Sequence, residues 1–208
     1  MRPRVGAAGR SGTVTVVLTD RTEMAESDEL SLDNLFERLE HMPVPEGFRV
    51  EIVEGTVYMS PQRSVHWDLI ACVYDELRTK YPRKRLLSDV RIDFPGLLNG
   101  FCPDLLLLKE GARADSKDRW HYRDIEFVLE VISKGTGPND YGPKKAVYAE
   151  AGVPVYLVVD PFTTRSRLFT HPQGREYKSE LTVVFGEPIK LDDTPVGLTI
   201  STEEFPSA

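Results

Sequence analysis

The chain is 208 residues long, 40% hydrophobic, and sets 26 Lys and Arg against 33 Asp and Glu, a formal net charge of -7. That is enough apolar material for one substantial core, and the acidic balance disfavours a broad nonspecific nucleic-acid surface while leaving room for a local basic cleft. No apolar run reaches the roughly 20 residues of a membrane span, the two cysteines, Cys72 and Cys102, are too few for a disulfide framework or a zinc site, and no secretory signal pattern opens the chain, so a cytoplasmic location is expected.

Residues 1–27 mix Gly, Arg, Ser and Thr with little periodicity and read as a flexible leader; residues 28–208 read as a single domain. Leu32, Leu35, Phe36 and Leu39 recur at helical spacing behind Ser31, a good N-cap, and Pro43 and Pro45 close that helix. Phe48 to Ser60 reads as a hairpin around Glu54-Gly55, in which alternation sets Glu51 on the face opposite Val50 and Ile52. A helix over 65–81 carries Leu69, Ile70, Val73, Tyr74 and Leu77 on one stripe, with His66 in its first turn. It leads into Arg78, Lys80, Arg83, Lys84 and Arg85, the densest basic cluster of the chain. Such a cluster suits a helix C-terminus and a wet loop; its functional reading is contact with nucleic-acid phosphates through Arg83, Lys84 and Arg85.

Leu86 to Phe94 reads as one strand, antiparallel to the apolar run that Cys102-Pro103-Asp104 opens, and 109–123 as a surface loop. Asp124 to Ile132 is a second apolar run, with Glu130 set inside it. The breaker cluster Ser133 to Pro138 follows, then a helix over 140–151 and a strand from Val155 to Pro161. Strand, helix and strand so closely joined form a βαβ crossover, which makes the Glu130 and Asp160 strands parallel neighbours. Strands over 165–171 and 177–185 and short acid-rich elements complete a mixed α/β architecture, a central β-sheet flanked by helices.

Two carboxylates inside buried strands need an explanation, because an unpaired buried carboxylate costs several kcal/mol. Asp104 and Glu130 lie on strands that can be adjacent, where a proton or a cation must sit between them. The usual solution at neutral pH is a hard divalent ion, with Mg²⁺ the natural choice and Mn²⁺ a substitute. Lys144 or Lys145, on the following helix, can reach back over Glu130, while Lys134 and Ser133 lie close in sequence. A purely structural account exists too: salt bridges such as Asp140 with Lys144 at i, i+4.

Pro103-Asp104, Glu130-Val131-Ile132-Ser133, Asp140 through Lys144 to Tyr148, Ala151-Gly152-Val153-Pro154 and Val158-Val159-Asp160-Pro161 together resemble the Uma family of putative restriction endonucleases, a branch of the PD-(D/E)XK nuclease superfamily. Glu51-Ile52-Val53-Glu54-Gly55, Met59-Ser60-Pro61 and His66 are similar to its first motif. The resemblance covers about Phe48 to Tyr177. It implies a restriction-endonuclease-like core, with Asp104 and Glu130 as metal ligands, Glu51 as a third acid and DNA as substrate. The superfamily pattern sets a lysine two positions after the second acid; here Ile132 stands there, and the resemblance assigns the role to Lys144 on the next helix. His66, Ser133 and Lys134 are auxiliary candidates, and cutting both strands favours a homodimer. The rival reading is a catalytically silent module that keeps the fold for interaction or dimerisation.

Overall fold

The computed structural model describes residues 14–16, 31–41, 48–61 and 64–208. In chain order its elements are β1 (Val14–Val16), α1 (Leu32–Glu40), β2 (Phe48–Val53), β3 (Thr56–Pro61), α2 (Ser64–Arg78), β4 (Leu86–Leu87), β5 (Ile92–Phe94), β6 (Asn99–Phe101), β7 (Leu105–Leu108), β8 (Trp120–His121), β9 (Ile125–Val131), α3 (Gly137–Tyr141), α4 (Pro143–Glu150), β10 (Val155–Asp160), β11 (Arg165–Gln173), β12 (Glu176–Val184), β13 (Ile189–Lys190) and β14 (Thr199–Ile200). Among the described residues the strands form a sheet of order β12-β11-β10-β9-β7-β4, a second of order β1-β3-β2-β6-β5-β8, and a β13-β14 ribbon.

The first sheet is mixed, as the crossover reading requires: β9 and β10 run parallel, and β7 lies antiparallel to β9. Its central strands β7, β9 and β10 are buried on both faces, which is why they read as nearly continuous apolar runs. Period-two alternation then sorts the side chains. Leu105, Leu107, Phe127, Leu129, Val131, Val155, Leu157 and Val159 face α2, packing with Leu69, Val73 and Leu77. Leu106, Leu108, Val128, Tyr156 and Val158 face the other way, against Val147 and Tyr148 of α4 and Ile92, Phe94 and Phe101 of the second sheet. The four leucines of β7 are each no more than 1% exposed, a burial that contributes about 2 kcal/mol apiece.

Local features explain the remaining elements. Ser31 caps α1 by accepting a hydrogen bond from the Asn34 N–H; Pro43 and Pro45, read as its stop, lie outside the described residues. The β2–β3 hairpin turns at Glu54-Gly55, both with positive φ. Of the expected leader, Val14–Val16 is a strand antiparallel to β3, and the rest lies outside the described residues. The single strand expected over 86–94 is two: Asp89, at φ 55°, turns the chain between β4 in one sheet and β5 in the other. Asp and Asn tolerate that left-handed conformation better than other side-chain-bearing residues. The expected loop over 109–123 contains β8, parallel to β5.

The helix expected over 140–151 begins earlier and breaks at Gly142 (φ -114°, ψ -103°), so that α3 precedes the break and α4 starts at Pro143. Proline suits a first helical turn, where its missing N–H leaves no intrahelical bond unmade. A Cβ at Gly142 would stand 2.7 Å from the Pro138 carbonyl oxygen, closer than side chains tolerate. Gly142→Ala is therefore expected to destabilise the fold by about 1–3 kcal/mol, read as a lower urea midpoint, and to shift the start of the helix that carries Lys144.

Candidate active site

The register that pairs Leu105 with Leu129 carries Asp104 opposite Glu130 by one further antiparallel step. Both follow the parity of Leu106 and Val128, so both carboxyls leave the sheet on the side of α4 and the second sheet. There they meet Arg49 and Glu51, two positions apart on β2 and hence on one face of that strand. Lys144, in the first turn of α4, and Asp140, on α3, close the group from the helix side. Asp104, Glu130, Asp140 and Lys144 are 1%, 2%, 4% and 1% exposed.

Lys144 is the hub. Its Nζ lies 2.6 Å from Glu130 Oε1, 3.3 Å from Asp140 Oδ1, and 3.1 and 3.2 Å from the two Glu51 oxygens. Tyr148, one turn further along α4, donates its hydroxyl to Glu130 Oε1 at 2.6 Å. Glu51 Oε1 also accepts the Cys102 N–H at 2.9 Å, which pins the second sheet to the start of β7. Asp104 is held on both oxygens. Oδ1 bonds the Arg49 guanidinium; Oδ2 accepts the Val131 N–H at 2.6 Å and lies 3.3 Å from His66 Nε2. That same His66 nitrogen is 3.0 Å from the Val131 carbonyl oxygen.

The electrostatics follow from this count: four carboxyls, Glu51, Asp104, Glu130 and Asp140, face two permanent cations, Arg49 and Lys144. Burial alone would raise the Asp104 carboxyl, but Arg49 above all, with His66 and the Val131 N–H, holds it below the ordinary range. Burial raises Glu130 well above its usual value; Lys144 opposes that, while Glu51, Asp104 and Asp140 add to it. Asp140 is pushed up to about 6, again by burial first. Burial would discharge Lys144, yet Glu130, Glu51 and Asp140 hold it firmly as an ammonium. With fewer cations than carboxyls in the cluster, Glu130 and Asp140 are both shifted toward their protonated forms.

Of the candidate residues, Asp104, Glu130, Lys144 and Glu51 are thus brought together, and His66 touches Asp104. The Asp140–Lys144 pair expected on structural grounds is present inside the same cluster. Ser133 lies in the turn after β9, bonded to Thr136, and Lys134 is exposed in that turn. Lys145 turns away onto the Phe169 ring. Asp160 instead caps the following turn through the Phe162 and Thr163 N–H groups. Arg83, Lys84 and Arg85 form a short 3-10 helix beyond the far end of β7. Arg85 bonds the Leu108 carbonyl and Glu126 there, four residues or roughly 13 Å along the strand from Asp104. Arg49 and Tyr148 were not among the candidates. The signal for Arg49 was its spacing of two from Glu51, and for Tyr148 its spacing of four from Lys144.

The sequence profile of Uma2, described as putative restriction endonuclease, matches residues 35–203. The chain belongs to the Uma2 family. A crystal structure of a putative nuclease belonging to DUF820 from Anabaena variabilis ATCC 29413 superposes with a TM-score of 0.65 at 12% identity, covering 85% of this chain and 97% of that one. At that identity the likeness shows a shared fold, the restriction-endonuclease-like α/β core. No curated protein matches the chain. The Uma2 match spans the hairpin bearing Glu51, both acid-bearing strands and α4. Among the described residues no helix is long and apolar enough to cross a membrane, and no three His, Cys, Asp or Glu side chains stand in a ligating arrangement.

Proposed function

We propose that this Uma2 protein is a metal-dependent endonuclease that hydrolyses DNA phosphodiester bonds at the cluster of Asp104, Glu130, Glu51 and Lys144. The observation that carries this reading is the convergence, from two sheets and two helices, of Glu51, Glu130 and Asp140 on the buried Lys144, with the buried Asp104 beside them on Arg49, so that four carboxyls share two permanent cations. The donors fit a hard divalent cation, because all are carboxylate oxygens and the missing charge is that of one such ion. Asp104 and Glu130, with Glu51, would hold Mg²⁺ or Mn²⁺; when bound, it would lower the pKa of water and offset the charge growing on the phosphate.

The chain's own groups divide the remaining work. Lys144, kept protonated by its carboxylates, is a hydrogen-bond donor and not a base, suited to orienting the attacking water and sharing charge on a phosphate oxygen. Tyr148 fixes the Glu130 carboxyl, and His66 with the Val131 N–H fixes that of Asp104, as supporting groups do for ligating acids. Water attacks phosphorus, one P–O ester bond breaks, and the leaving oxygen takes up a proton. A two-fold dimer would present two such clusters to the two strands of a duplex.

One observation favours the rival reading of a silent scaffold: each acid already has a cationic or hydrogen-bonding partner within the protein. A panel of plasmid, single-stranded DNA, RNA and small phosphodiesters with Mg²⁺ or Mn²⁺ decides between them. Cleavage by wild type, lost in both Glu130→Gln and Lys144→Met, is the expected result. Cleavage that persists equally in the variants would be contamination, and none with any substrate would favour the scaffold.

A further inference from the structure

Arg49 stands where Asp104 and a divalent cation would have to meet. Its Nη2 bonds Asp104 Oδ1, and its Nη1 donates to the Cys102 carbonyl at 2.8 Å while standing 3.9 Å from Glu130 Oε2. Its Nε lies 3.2 Å from Asp89 Oδ1, without hydrogen-bond alignment. One planar guanidinium therefore bridges the two acids that oppose each other across β7 and β9. Asp104 has no second oxygen to spare, because Oδ2 is already occupied by the Val131 N–H and His66. Another cation that binds Asp104 at Oδ1 has to compete with the arginine for that oxygen.

We propose that Arg49 is an internal counter-cation that competes with the divalent ion for Asp104, giving the site an arginine-closed state and an ion-loaded state with Arg49 released. The inference rests on the ion-binding reading above and adds its regulation. Chemistry favours arginine in this role. A guanidinium is weakly hydrated and forks onto carboxylates, so it neutralises a buried acid that a lone water could not. Its competitor must bring more charge to the same oxygens, which an ion shared by Asp104 and Glu130 does. Release has a direction as well. Asp89 is 42% exposed at the side chain, so an Arg49 that lets go of Asp104 while keeping Asp89 moves toward solvent, where its fork can meet a phosphate.

Calorimetry with Mn²⁺ and Mg²⁺ on wild type, Arg49→Met and the double variant Arg49→Met/Glu130→Gln tests this. Arg49→Met is expected to bind Mn²⁺ at least tenfold more tightly than wild type, with binding lost in the double variant. Because Arg49→Met also removes the cation paired with the buried Asp104, wild-type protein with ¹⁵N-labelled arginine gives a second readout that does not depend on the variant's folding. The Arg49 Nε–H resonance, identified by its absence in Arg49→Lys, is expected to move and exchange faster as Mg²⁺ saturates the site. Equal or weaker binding by folded Arg49→Met, or an unmoved Arg49 resonance at saturation, overturns the proposal and leaves the ion reading intact. Absence of binding in every protein removes the ion reading and the proposal together.

Discussion

Lys144→Met is expected to lower the stability of the protein by about 3–5 kcal/mol at pH 7.5, because it leaves Glu51, Glu130 and Asp140 without their common cation in a buried site. The loss should shrink at pH 5. Asp140 titrates at about 6 in the fold against its ordinary 3.8, so between about pH 4 and 6 the folded state binds more protons than the unfolded one. Stability from this group is therefore full below pH 4 and falls as pH rises through 6. Glu130, raised in the same sense, adds to the slope. Without Lys144 both acids hold their protons to higher pH, so an acidic medium removes much of the uncompensated charge. Urea denaturation of wild type and variant at the two pH values measures the effect; a loss of equal size at both would mean that Lys144 acts by packing and not by charge.

Glu130→Gln is expected to separate stability from activity. The glutamine keeps the shape and can still accept from Lys144 and the Tyr148 hydroxyl, while it removes a buried acid that burial and three neighbouring carboxyls already push toward neutrality. The metal-free variant should match or exceed wild type in stability at pH 7.5. DNA cleavage should nevertheless fall at least 100-fold, the scale on which charge stabilisation of a reacting centre is lost. A variant that is both inactive and several kcal/mol less stable would instead make Glu130 a structural member of the cluster.

Much of this arrangement was legible in the sequence because an acid inside an apolar run is costly and stands out. Asp104 and Glu130 declared themselves that way, whereas Glu51 as a third acid and Lys144 in preference to Lys145 rested on the family resemblance. Arg49 did neither, although it shares the parity of Glu51, because an arginine alternating with apolar residues reads as the wet side of a strand. Asp140 was visible only as a helical i, i+4 partner of Lys144; that the pair is buried depends on how α3 and α4 pack, which spacing does not encode. Asp89 was hidden for a related reason. Its φ of 55° splits one apparent strand between two sheets, and residue type makes such a turn tolerable without announcing it.

Glu51 and Arg49 come from one sheet, Asp104 and Glu130 from the other, and Glu51 meets Lys144 across 93 positions of chain. The larger apolar core, built around β7, β9, β10 and α2, owes nothing to that seam. The reactive groups of this protein are therefore only as well aligned as the seating of the β2–β3 hairpin on a core that does not need it.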